Sequence, residues 1–301
     1  MMGEKTKIQW CDHTFNPWRG CTKISTGCDN CYAEQLARRN PAVLGEWGPT
    51  GNRPVAAAST WQAVDGWNRK AHNEGRRRRI FVGSMMDVFE DREDLYAARR
   101  ELWRTILECQ YLDFLLLTKR PENLAKCWPT YGELGGIATS IDQHVRFSNV
   151  WLGTSIEDQR SAESRVPALM AAGPVARVLF LSYEPAIDGV DLEGLRVGDG
   201  STVNALDGTM LQGNNTMIPF GRKINWVIAG GESGPRARPC NVDWVRAIAR
   251  QCKTASIACF IKQLGSRPFT PHPGIEWEEY DPKGGDPGEW PEDLRVREFP
   301  A

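Results

Sequence analysis

No run of apolar residues in this chain approaches the ~20 positions that a membrane-spanning helix needs, and the N-terminal MMGEKTKIQW lacks the apolar core of a secretory signal. Both absences predict a cytoplasmic protein with no membrane partner. Charge of one sign is also scarce: 37 Lys and Arg stand against 38 Asp and Glu, a net charge of −1. A polyanion would therefore have to be held by a local patch and not by bulk attraction. The one dense cationic run is Arg76–Arg79, read either as a solvated loop before a strand or as a phosphate contact. For a cytoplasmic chain the nine cysteines do not suggest a disulfide framework. Five of them (Cys109, Cys127, Cys240, Cys252 and Cys259) are scattered in apolar or helical contexts, where a free Cys is usually a small core residue.

What the chain does have is 301 residues of ordinary globular mixture, 41% hydrophobic and 25% charged. Short apolar runs recur: Ile80–Ser84, Phe114–Thr118, Val150–Ser155, Val178–Ser182, Trp226–Gly231 and Ala258–Lys262. Runs of that length read as strands buried on both faces, the mark of a parallel sheet. Helix-like stretches separate them at Arg92–Gln110, Pro121–Lys126, Gln159–Ala172 and Val242–Cys252. The alternation predicts an α/β fold, either a (β/α) barrel or an open doubly wound sheet. Nearly every run closes on polar residues, and chemistry gathered at the C-terminal ends of many strands suits a barrel. The expectation is thus a partial (β/α) barrel over residues 1–270, with insertions at about 40–75 and 188–222. Residues 271–301 read as an irregular, proline-rich tail, and no second domain is evident.

The densest chemistry is Asn16-Pro17-Trp18-Arg19-Gly20-Cys21, continuing to Gly27-Cys28-Asp29-Asn30-Cys31-Tyr32-Ala33-Glu34. Its C-x6-C-x2-C spacing precedes a helix-like stretch, and Gly20 and Gly27 permit a tight metal loop. Three thiolates can hold three irons of a cubane cluster and leave the fourth open for an outside ligand. Zinc is the rival, recruiting Cys11 or His13 as fourth ligand, and three unliganded thiols are the third reading.

The cysteine block, together with Lys119-Arg120-Pro121-Glu122, Gly153-Thr154-Ser155-Ile156-Glu157, Ser182-Tyr183-Glu184-Pro185 and Gly230-Gly231-Glu232-Ser233-Gly234, resembles a phage protein family of the three-Cys-motif, radical-SAM-like type. The resemblance spans roughly residues 7–265. It implies a radical-SAM barrel with an N-terminal cysteine loop, a 4Fe-4S cluster on Cys21, Cys28 and Cys31, S-adenosylmethionine as cofactor, and an electron donor. The spacing departs from the usual C-x3-C-x2-C by three residues. Asn30 stands where that superfamily places an aromatic residue near the adenine, so Tyr32 or Trp18 would have to serve.

By the same resemblance Ser84 and Asp87 lie where the methionine amino group is held, and Thr154, Ser155 and Glu157 where ribose hydroxyls are held; Glu232 joins them as a cofactor contact. Cations at strand ends are costly unless they reach water, a carboxylate or a ligand. Lys119, Arg120 and Lys262 are therefore candidates for a cofactor carboxylate or a substrate phosphate, or else for a network with Glu184 or Glu232. The substrate implied is a nucleic-acid base or nucleotide, as in phage DNA modification or repair. Trp47, Trp61 and Trp67, interleaved with Arg53 and Arg69, could stack bases or form a satellite core. The competing function is a zinc-stabilised nucleic-acid-binding protein without catalysis.

Overall fold

A computed structural model of the chain describes residues 6–134, 144–172, 175–271 and 281–301. Each apolar run becomes a strand: β2 (Arg78–Val82), β3 (Leu112–Thr118), β4 (Phe147–Ile156), β5 (Ala176–Tyr183), β6 (Trp226–Gly230) and β7 (Ala258–Gln263), preceded by a three-residue β1 (His13–Phe15). Their residues are buried almost throughout, the pattern of a sheet covered on both faces. The main helices are α1 (Tyr32–Ala37), α2 (Ala58–Asn73), α3 (Tyr96–Glu108), α4 (Gln159–Ala171) and α5 (Val242–Thr254).

The chain divides into two compact units, Met1–Gly153 with Pro174–Arg177, and Thr154–Gly173 with Val178–Ala301. In the first, β1, β2 and β3 run parallel, His13 opposite Ile80 and Ile80 opposite Phe114. An aromatic cluster fills its interior, with Trp103 5.0 Å from Trp128 and 5.6 Å from Phe147 between ring centres. In the second, β6 lies between β5 and β7 and parallel to both, Trp226 facing Phe180 and Ala258. There Phe299 packs 5.4 Å from Trp226 and 5.3 Å from Phe260. Strand order in the seven-stranded sheet is chain order, β1 to β7. Successive β/α units of a barrel give that order, whereas a doubly wound sheet reverses at a switch point. The fold is mixed α/β, and its topology is compatible with a partial barrel.

Local rules explain the helix starts. Asp158 accepts from the Ser161 N–H at 2.7 Å while Ser161 Oγ accepts from the Asp158 N–H at 3.1 Å, a reciprocal cap for α4. Asn241 caps α5 by accepting from the Asp243 N–H at 3.0 Å.

The 40–75 segment, read as an insertion with no helix assigned to it, contains the 16-residue α2. Its buried stripe is Thr60, Val64, Trp67 and Ala71, correctly spaced for a helix but carried by one small and one polar residue, so the apolar period is faint. The 188–222 segment contains four short antiparallel strands, Leu195–Arg196, Thr202–Asn204, Thr209–Leu211 and Met217–Pro219. Part of the proline-rich tail, residues 272–280, lies outside the described residues. The remainder pairs with β7: the Ile261 N–H donates to Val296 O at 2.9 Å and the Glu298 N–H to Cys259 O at 2.8 Å. Within it Trp290 and Leu294 are buried, and its pairing covers backbone that an edge strand would otherwise expose.

Candidate metal centre

The cysteine loop is built against the turn that follows β2. The Asn16 side chain spans both segments, accepting from the Met85 N–H at 2.8 Å and donating to Ser84 Oγ at 2.9 Å. The Gly20 N–H donates to Met85 O at 3.0 Å. Gly20 has φ +99°, and a Cβ there would lie 2.7 Å from Glu46 O and 2.9 Å from Arg53 Cδ. Only glycine allows both that dihedral and that approach. On the far side the Gly48 N–H donates to Cys21 O at 3.0 Å, and Cys21 bridges to Trp47. A 3-10 turn, Thr26–Cys28, brings the chain round, and Cys31 stands at the N-cap of α1.

Cys21, Cys28 and Cys31 are half-buried, whereas Cys11, Cys109, Cys127, Cys240, Cys252 and Cys259 are buried. Burial pushes the Cys21 thiol up to about 12; Asp87 adds to the rise and the Arg120 guanidinium opposes it. Burial also raises Cys31, while the backbone N–H groups of Glu34 and Ala33 lower it. A thiol so placed keeps its proton at neutral pH until a cation displaces it. Among the described residues no three His, Cys, Asp or Glu side chains stand together as a ligand set. The loop's cysteines offer a metal's donor chemistry and are partly accessible, but their sulfurs do not stand together. The residues that a zinc site would recruit are both buried, Cys11 near Ile8 O and His13 stacked on Trp67 at 4.3 Å.

Two buried ion pairs flank Cys21. Arg53, whose side chain is fully buried, donates from Nε to Glu90 Oε2 at 2.9 Å and from Nη2 to Glu90 Oε1 at 2.8 Å. It also reaches the carbonyls of Glu46, Gly51 and Gly48 and the Thr22 hydroxyl, and Thr22 in turn donates to Glu90 Oε1 at 2.7 Å. Burial alone would raise the Glu90 carboxyl, but the Arg53 and Thr22 hydrogen bonds and the nearby Arg53 and Arg120 charges hold it below the usual carboxylate range. The second pair is Arg120–Asp87, with Nη1 to Oδ2 at 2.9 Å. Asp87 also accepts from the Thr118 hydroxyl at 2.7 Å, the Phe89 N–H at 2.9 Å and the Lys119 N–H at 3.1 Å.

The remaining predicted residues fall in the second unit. Thr154 and Ser155 are buried at the end of β4. Glu157 pairs with Arg165 at 2.9 Å, and Arg165 also donates to Ser155 O at 2.7 Å. Lys262 pairs with Glu184, whose carboxylate is also 3.5 Å from Gln263 Nε2. Glu232 pairs with Arg238 at 2.9 Å.

The structure gives surroundings to several residues that the sequence singled out. Arg53 is not an open cation, and Glu90, its partner, gave no motif signal. Trp18 is fully buried. Tyr32 is exposed and donates from its hydroxyl to Ser84 O at 2.5 Å. Trp61 and Trp67 pack on Phe15 and His13 of β1. In the arginine run, Arg76 and Arg79 pair with Asp12, Arg77 with Asp113 and Arg78 with Glu74.

No curated protein and no solved structure matches this chain significantly. A family model described as a protein of unknown function, DUF5131, matches residues 5–275. The chain belongs to the DUF5131 family.

Proposed function

We propose that this protein is an iron–sulfur enzyme of the radical-SAM type, with a 4Fe-4S cluster on Cys21, Cys28 and Cys31 and S-adenosylmethionine as cofactor. One observation carries the cluster part: of nine cysteines, the three in the C-x6-C-x2-C loop are those left partly accessible. Three thiolates suit a cubane with an open iron, and a fourth ligand would close it. When bound, such a cluster supplies an electron for reductive cleavage of the cofactor.

The chain's own residues hold the loop in place, exclude water from its inner side and set the charge around Cys21 through Arg120, Asp87 and Glu90. The cofactor assignment rests on the resemblance at Ser84, Asp87, Thr154, Ser155, Glu157 and Glu232. The roles of Lys119, Arg120 and Lys262, with Glu184, at a substrate anion rest on the placing of cations at strand ends. The substrate class, a nucleic-acid base or nucleotide, rests on the resemblance, with an electron donor as partner.

The test is anaerobic reconstitution with ferrous iron and sulfide, followed by S-adenosylmethionine and a reductant. Broad visible absorption and cofactor cleavage are expected. A colourless protein carrying stoichiometric zinc would point to the non-catalytic nucleic-acid-binding reading instead. A coloured protein that leaves the cofactor intact would keep the cluster and remove the radical chemistry.

A further inference from the structure

We propose that Arg120 is a positioning residue for Cys21. The guanidinium lies directly after β3 and is 7% exposed. One side is fixed by Asp87, which is itself fixed by Thr118, Phe89 and Lys119. The same Nη1 that donates to Asp87 is 3.8 Å from Cys21 Sγ, and Nη2 donates to the carbonyl of Thr22. Both terminal nitrogens thus hold Asp87 and the Cys21-Thr22 segment.

A charged donor at a ligand sulfur would stabilise the more negative, reduced state of a cluster, and so raise its potential. Lysine is a poor replacement, because its single nitrogen lacks the planar spread by which the guanidinium holds sulfur, carbonyl and carboxylate together. The positioning role stands on this geometry, and its effect on a cluster rests on the iron–sulfur reading.

The test uses full-length protein with Arg120→Lys, and with the double variant Asp87→Asn/Arg120→Met. The double variant removes both charges, so it remains foldable if a lone buried carboxylate does not. Amide exchange at residues 20–24 is measured in metal-free protein. Iron affinity and midpoint potential are measured after reconstitution with ferrous iron and sulfide.

Faster exchange, about 10–100-fold weaker iron binding and a lower potential are expected in both variants. Unchanged exchange would overturn the proposal. So would faster exchange with unchanged affinity and potential, because a merely structural contact leaves those readouts alone. If wild-type protein takes up no iron, the cluster reading fails separately. Faster exchange in the variants would then still support Arg120 as the anchor of Cys21, and unchanged exchange would overturn it.

Discussion

Gly20 and the Arg53–Glu90 pair show how single residues shape the cysteine loop. Gly20→Ala forces a side chain into a left-handed dihedral and against Glu46 O. A strained backbone position of this kind costs about 1–3 kcal/mol, and a lowered melting temperature together with weaker iron uptake is expected. An unchanged melting temperature would mean that the loop relaxes without cost. Arg53→Ala should be harsher, because it strands a buried carboxylate; breaking such a pair costs about 3–5 kcal/mol. The double variant Arg53→Met/Glu90→Gln should recover part of that loss, and equal destabilisation of the single and double variants would contradict the pairing. The sequence shows that Arg53 is charged but not where its charge goes. Its partner lies 37 residues away, and no motif joins the two. The three cysteines were legible because their chemistry is local, with spacing and flanking glycines inside one short segment.

At the scale of elements, the segment holding Trp47 to Arg53 is tied to the cysteine loop through Glu90, and that tie depends on pH. The Glu90 carboxyl is held below its ordinary value, which is about 4.3 in an unfolded chain. Its stabilisation is therefore complete above that pH and is lost as pH falls through the lower folded value. Amide exchange over residues 46–53, corrected for intrinsic rates, should stay flat from neutral pH to about 4.3 and rise below it. A rise beginning near pH 6 would contradict the assignment. The strands were readable because residues buried on both faces make continuous apolar runs. β1 was not, since three residues, His13, Thr14 and Phe15, carry no run, and its place comes from pairing with β2. α2 was missed because two of its four buried positions are Thr60 and Ala71. The four short strands at 195–219 have two or three residues each, too few to show a period.

For the whole molecule, a net charge of −1 gives no general attraction to a polyanion. The densest cationic run is compensated locally, with Asp12, Glu74 and Asp113 paired to its four arginines. Binding of a ~12-mer oligonucleotide should therefore depend only weakly on salt, since each phosphate contact released contributes a slope of about −0.9. A mononucleotide titrated beside it should bind comparably. A slope steeper than about −3, flattened by neutralising Arg76–Arg79, would restore a phosphate-binding role for the run.

The most direct test of the central claim is the iron and sulfide content of anaerobically reconstituted protein, wild type against single Cys→Ala variants. Wild type, Cys11→Ala, Cys109→Ala and Cys252→Ala are expected to load alike, because those three thiols are buried and lie outside the C-x6-C-x2-C segment. Cys21→Ala, Cys28→Ala and Cys31→Ala are each expected to lose the cluster. Full iron in the Cys28→Ala protein, or none in the wild type, would contradict it.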